Sequence, residues 1–250
     1  MTLNLYTDKV VLVTGGGGGI GSAICRRLAA AGAHVVINYN SNGEKAQAVA
    51  ASLAGNNHLV VQASVTDSKA LTQMAQQVAD RYGRLDLLVN NAGITRPVPH
   101  DDLDGLDDEW IDRIFQTNVR GAFACVRACK ELLMAGEGGT VINISSIAGR
   151  TGVGSNVAYC ASKAAIDSMT RSLARALAPK IRVVSVAPGW VWGDYAARFP
   201  ASYLQEQIDK TPLGRIAQPE DVAEAVYAVA TQLTFSTGCI IPVDGGRPLL

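Results

Sequence analysis

Short apolar runs alternate along the chain with longer stretches whose apolar residues recur every three or four positions. The runs cover residues 10–13, 35–37, 59–61, 85–89, 141–144, 183–186 and 240–243. They are rich in β-branched residues and bounded by Gly, Asn, Asp or Pro, as suits strands buried on both faces of a parallel sheet. The stretches between them, 20–31, 43–54, 67–81, 107–135, 156–178 and 219–232, carry helical spacing. Asp67 can cap one helix, and Pro219-Glu220-Asp221 suits the first turn of another. This repeated order predicts a doubly wound α/β sheet with helices on both faces, in one domain spanning residues 1–250.

Two stretches break the rhythm. Residues 95–109 are rich in Pro, Asp and Gly and hold an acidic run, read as a solvated loop and helix start. Residues 188–215 form a long insertion carrying Trp190, Trp192, Tyr195, Phe199 and Tyr203. Both begin where strands end, and ligands of open α/β sheets sit beyond the carboxyl ends of the strands.

Composition removes several alternatives. Among 250 residues, 22 Lys+Arg balance 22 Asp+Glu, so no electrostatic footprint for nucleic acid or anionic membrane exists. Charged residues are only 18%, which predicts a surface largely covered by other elements or by sister subunits. No apolar run approaches the roughly 18 residues of a spanning helix, and the first residues lack a secretory layout. Five cysteines without a Cys-x-x-Cys pair make no disulfide frame, and three scattered histidines offer no metal site. Cys125 and Cys129 read as small buried residues, and Cys160 as an oxidation liability. The expectation is a cytoplasmic protein without a metal.

Directly after the first run comes Thr14-Gly-Gly-Gly-Gly-Gly-Ile-Gly21, then helical spacing. Glycines let a backbone turn tightly and approach a phosphate, and amides of a following helix N-terminus hold the charge. Strand, loop and helix in this order form the dinucleotide fingerprint. That pattern expects an acid about twenty residues on, to bind the ribose hydroxyls of NAD. Here the second run ends Asn38-Tyr-Asn-Ser-Asn42, with no carboxylate and no cation. Losing the acid removes repulsion against a 2′-phosphate, so NADP(H) is preferred and NAD(H) possible. Asn38, Asn40 or Ser41 would supply hydrogen bonds to that phosphate.

Of seven tyrosines, only Tyr159 is followed four residues later by lysine, Lys163. On a helix both lie on one face. A phenol of pKa about 10 is a poor base, and a nearby ammonium is expected to lower that value. Such a tyrosine can exchange a proton with a carbonyl or alcohol oxygen. The fifth run ends in Ser145-Ser146, and a hydroxyl there can bond the reacting oxygen.

These motifs, in this order, resemble the short-chain dehydrogenase/reductase family along nearly the whole chain. The matches are Thr14-Gly15-x-x-x-Gly19-x-Gly21, Asn90-Asn91-Ala92-Gly93, Asn118, Ser146, Tyr159-x-x-x-Lys163, Pro188-Gly189 and Val243-Asp-Gly-Gly246. The resemblance implies a Rossmann fold of seven parallel strands, with a dinucleotide half near 1–145 and a catalytic and substrate half near 146–250. It implies a homotetramer or homodimer. Tyr159 becomes the acid/base, and Ser146, thirteen residues before it, orients the substrate oxygen. Lys163 lowers the tyrosine pKa and binds the nicotinamide ribose, and Asn118 holds a water behind Lys163. Gly15, Gly19, Ile20 and Gly21 would hold the pyrophosphate, and Asn91, Ala92 and Gly93 the adenosine and ribose side. Pro188, Gly189 and Val191 would line the nicotinamide side. Ser64 stands where an aspartate commonly meets the adenine, followed by the expected Val65. Gly193 replaces a usual threonine.

Residues 90–96 and Pro212-Leu-Gly-Arg215 look like the 3-oxoacyl-thioester reductase subgroup. Against docking of an acidic carrier protein stand Glu131 and Glu137 ahead of the fifth run, although Lys180 lies nearby. A free carbonyl, a coenzyme A thioester or a sugar or ring alcohol thus stays open. Trp190, Trp192, Tyr195 and Phe199 would lid an apolar or ring-bearing substrate, or pack in the core or a subunit interface. A cofactor-binding regulatory protein without turnover is the alternative of another class.

Overall fold

The computed structural model describes residues 6–249. In chain order it begins β1 (Val10–Val13), α1 (Gly19–Ala29), β2 (His34–Tyr39), α2 (Gly43–Ala51), β3 (Leu59–Gln62) and α3 (Ser68–Tyr82). Then follow β4 (Leu87–Asn90), α4 (Asp108–Phe115), α5 (Ala122–Met134), β5 (Gly139–Ile144), α6 (Ala148–Thr151) and α7 (Val157–Leu177). The chain closes with β6 (Ile181–Pro188), α8 (Ala201–Asp209), α9 (Pro219–Thr231) and β7 (Ile240–Val243). The seven strands are all parallel, in the order β3-β2-β1-β4-β5-β6-β7. Strand order reverses between β1 and β4, so a crevice opens at their carboxyl ends.

Alternation along β1 shows how the sheet is buried on both faces. Val11 and Val13 share one core with Ile24 and Leu28 of α1 and Val222 and Val226 of α9. Val10 and Leu12 share the other with Met74 of α3 and Cys125 and Leu133 of α5. Each such side chain contributes about 1.5–3 kcal/mol on burial. Cys125 and Cys129 are indeed small buried members of this second core. Among the described residues no helix is long and apolar enough to cross a membrane.

Two expectations change. The single helix over 107–135 is interrupted by a wide π turn at Gln116–Gly121, which carries Asn118. Such turns recur at functional sites, because the extra residue per turn re-aims a side chain. Within the insertion, α8 forms with Gln207 as its one fully buried residue, flanked by the half-buried Leu204 and Ile208. At the sheet edge, Ser185 and Gly189 amides donate to the carbonyls of Cys239 and Val243. Odd-numbered residues of β7 therefore face β6, and Pro242 turns its nitrogen outward.

Candidate active site

The crevice between β1 and β4 is built from backbone. The Thr14 hydroxyl accepts from the amides of Asn91 and Ala92, both at 3.0 Å, and the Asn91 amide donates to the Thr14 carbonyl at 2.9 Å. Gly15 adopts φ +63°, where a side chain is strained. A Cβ on Gly21 would collide with the Gly15 carbonyl and lie 2.7 Å from Asn91 Nδ2. Gly19 differs, since a Cβ there would meet nothing within 4 Å. α1 starts at Gly18 with no side-chain cap and no acidic residue in its first turn. Its first amides are thus free for an anion, and the open face of Gly19 leaves room for one. These residues fit a dinucleotide pyrophosphate.

At the end of β2 one expectation is corrected. Asn38 is 1% exposed, and its amide donates to the Ala63 carbonyl at 2.9 Å, with a longer contact to Val61. It ties β2 to the end of β3 and has no face to offer a phosphate. Asn40 and Ser41 lie at the accessible end, and Ser64, in the turn after β3, bonds Thr66 at 2.9 Å. Val65 is buried, and Gly121 closes against it so tightly that a Cβ there would come within 2.8 Å. Lys45, in the first turn of α2, reaches Asp194 of the insertion at 3.5 Å. It supplies a cation just beyond residues 38–42.

The second half of the edge is built from side chains. Asn156, 1% exposed, caps α7 by accepting the Tyr159 amide at 2.7 Å and donates to the Arg96 carbonyl at 2.7 Å. This cap fixes where Tyr159 stands. Lys163, one turn on, is buried and donates to the Ile144 carbonyl at 2.7 Å, with Nζ 5.5 Å from the Tyr159 ring centre. Ser145 is buried and bonds the Lys163 carbonyl at 3.3 Å, whereas Ser146 lies within hydrogen-bond reach of the Tyr159 phenol. Asn118 accepts from the Ile94 amide at 2.8 Å and donates to the Ile94 carbonyl and the Ser162 hydroxyl. It clamps Ile94 in place, and one lone pair of its Oδ1 is what it can offer a water.

The expected direction of the tyrosine pKa is reversed. Desolvation pushes Tyr159 up to about 12, opposed by its hydrogen bond with Ser146. Desolvation also brings Lys163 down to about 8, opposed by Asp167. Withdrawal from water sets the direction for both groups. A phenol held protonated is the form that gives a proton to a carbonyl oxygen. Asp167 itself is buried and raised, with the Ser145 and Ser185 hydroxyls opposing, and one of its oxygens has no hydrogen-bond partner. Cys160 is also raised by burial, which makes it less reactive than expected.

A family model described as enoyl-(acyl carrier protein) reductase matches residues 16–247. The chain belongs to the short-chain dehydrogenase/reductase family. It is 39% identical over 243 residues to "Granaticin polyketide synthase putative ketoacyl reductase 2" of Streptomyces violaceoruber, covering 96% of each chain. It is 35% identical over 247 residues to a 3-oxoacyl-[acyl-carrier-protein] reductase of Staphylococcus aureus, covering 95% of this chain and 97% of that one. The crystal structure of a short-chain dehydrogenase/reductase (SDR: glucose/ribitol dehydrogenase) from Brucella melitensis superposes with a TM-score of 0.90 at 29% identity, covering 99% of both chains. The protein is therefore an oxidoreductase of this family, and family membership implies a nicotinamide cofactor, which donates or accepts the hydride when bound.

A cavity of about 1010 Å³ opens at this edge of the sheet. Ile20, Asn91, Gly93, Ser146, Tyr159, Lys163, Pro188, Gly189 and Val191 line it together. Gly15, Gly19, Gly21, Ser41, Ser64, Val65, Ala92 and Asn118 lie outside that lining, Gly15 in the adjoining loop, Gly19 and Gly21 in the first turn of α1 and Asn118 behind Gly93. Trp190, Tyr195 and Phe199 line the cavity as one aromatic wall, joined by Tyr203. Trp192 is not part of that wall; its amide pairs with the Ala217 carbonyl at 2.9 Å. Sequence reading passed over Asn156 and Asp167. The first had a signal, an Asn three residues before Tyr159 at the start of a helical pattern, and the second its four-residue step from Lys163.

Proposed function

We propose that this enzyme is an NADP(H)-preferring reductase of 3-oxoacyl thioesters, with coenzyme A or acyl carrier protein as the carrier. The observation that carries the reading is that Tyr159, Ser146 and Lys163 line one cavity. Ser146 orients the substrate oxygen, Tyr159 gives it a proton, and Lys163 holds the nicotinamide ribose. Asn118 holds the backbone beside them and a water behind Lys163. The printed names of the relatives support the thioester class. For the cofactor, the carboxylate-free end of β2 favours a 2′-phosphate, with Asn40 and Ser41 as hydrogen-bonding groups. We further read the protein as a single-domain cytoplasmic enzyme that works as a homotetramer or homodimer.

The test follows nicotinamide absorbance with NADPH and NADH across acetoacetyl-CoA, an acetoacetyl carrier protein, simple ketones and ring ketones. Turnover of a thioester with NADPH at least tenfold above NADH is expected. Turnover of ring ketones alone would transfer the enzyme to ring alcohols, a reading the aromatic wall favours. Cofactor binding without any turnover would overturn the reductase assignment.

A further inference from the structure

The cavity carries a marked charge asymmetry. Its charged lining residues are Lys163, Lys210 and Arg247, and no Asp or Glu lines it, although the chain as a whole is balanced. Lys163 belongs to the reacting end. Lys210 is paired with Glu206 on its own helix. Arg247 is left over: it is half-buried, and among the described residues no carboxylate lies within ion-pair distance of it.

Its partners are neutral. One guanidinium nitrogen donates to the Gln207 carbonyl at 2.9 Å, and another to the Gln207 side-chain oxygen. Gln207 is 3% exposed, so it is a fixed anchor. Burial lowers the Arg247 pKa, with weaker opposition from Tyr203 and Glu206, as expected of a cation desolvated without a carboxylate in contact. Two of its five N–H donors are used, which leaves three for a further acceptor. A planar fork of this kind suits a carboxylate or phosphate held by two hydrogen bonds.

An apolar path joins the two polar ends of the cavity. Tyr195 lies close enough to Tyr159 to influence its ionisation. From Tyr195 the wall continues to Phe199, ring centres 5.4 Å apart, and then to Tyr203, stacked at 4.8 Å. Tyr203 and Arg247 line the same cavity.

We propose that Arg247 is the subsite for an oxyanion at the end of the substrate remote from the reacting oxygen. The substrate is then an elongated ketone or alcohol, apolar in the middle, ending in a carboxylate or a phosphate. The inference rests on the oxidoreductase reading of the same cavity and names what that reading leaves open.

The experiment uses two pairs that share a ketone and differ in the anion. Acetoacetyl-4′-phosphopantetheine is compared with acetoacetyl-pantetheine, and 4-oxocyclohexanecarboxylate with its methyl ester. In the wild-type enzyme the anionic member of one pair is preferred. Arg247→Met then lowers kcat/KM for that member about ten- to hundredfold, leaves the neutral member unchanged, and Arg247→Lys recovers part of the loss. The pair that responds tells phosphate from carboxylate. Equal losses for both members would assign Arg247 a purely structural clasp on α8 and overturn the proposal, as would no loss at all.

Calorimetric titration of the four compounds in the presence of NADPH separates the two readings. If nothing turns over, the reductase reading falls. The Arg247 subsite survives that outcome only if an anionic compound still binds more tightly than its neutral twin and loses this in Arg247→Met. Equal or absent binding of the twins overturns it.

Discussion

Two helices begin at the same edge of the sheet and end their first turns in opposite ways. α1 starts on Gly18 with no side chain over its amides, whereas α7 starts on Asn156, whose carbonyl oxygen takes the Tyr159 amide. An open turn holds something that comes and goes, and a closed one holds a side chain that must not move. The first is specified by glycines and backbone, the second by a buried amide that joins α7 to the loop at Thr95 and Arg96. One edge thus combines a receptive half with a rigid half.

Breaking the rigid half at its reacting group has the largest expected effect. Tyr159→Phe should lower turnover about 10²- to 10⁴-fold with dinucleotide affinity unchanged. Steady-state rates and an NADPH titration check this, and activity within tenfold of wild type would remove Tyr159 as the acid. The receptive half should respond to Gly19→Asp with opposite signs. A carboxylate in the first turn stabilises the helix by about 0.3–1 kcal/mol, yet repels the pyrophosphate and weakens NADPH binding about tenfold or more. Gly19→Ala should raise or keep the melting temperature; a fall in stability for either variant would contradict the open face.

A smaller effect is expected from the cap. Asn156→Ala should cost about 1 kcal/mol in urea unfolding and reduce kcat more than it changes KM, because Tyr159 loses its fixed position. An unchanged kcat would show that the cap serves stability alone. The last change is a slope with pH. The folded pKa of Lys163, about 8, lies below its ordinary value of 10.5. Between these values the unfolded chain binds more protons, so the lysine's contribution to stability rises with pH across this window. Unfolding free energy of wild type minus that of Lys163→Met should therefore climb from pH 8 to 10.5. A flat difference would mean that Lys163 is not desolvated.

What could be read in the sequence follows the same division. Gly15, Gly21 and the Tyr159–Lys163 pair are set by local spacing, and the structure places the latter with Ser146 at one cavity. The seven strands were legible because each is a short apolar run between turn residues. Less legible was anything decided by elements far apart in the chain. The pKa of Tyr159 depends on packing from several loops, so the local ammonium predicted the wrong direction. Asn38 ends a strand like a ligand-facing residue, but its side chain falls on the β3 side. The π turn at Asn118 has no periodic signature, and α8 hides because it buries a single amide.

Pro242 has a consequence for how copies of this chain can meet. It stands on the outermost strand, exposed, with its nitrogen turned away from β6. A neighbouring strand laid along that edge would find no donor there. The sheet is thereby terminated at β7 at no cost to its own ladder. Chains joined at this margin must meet through side chains, which protects a protein with long hydrophobic strands from growing into a continuous ribbon.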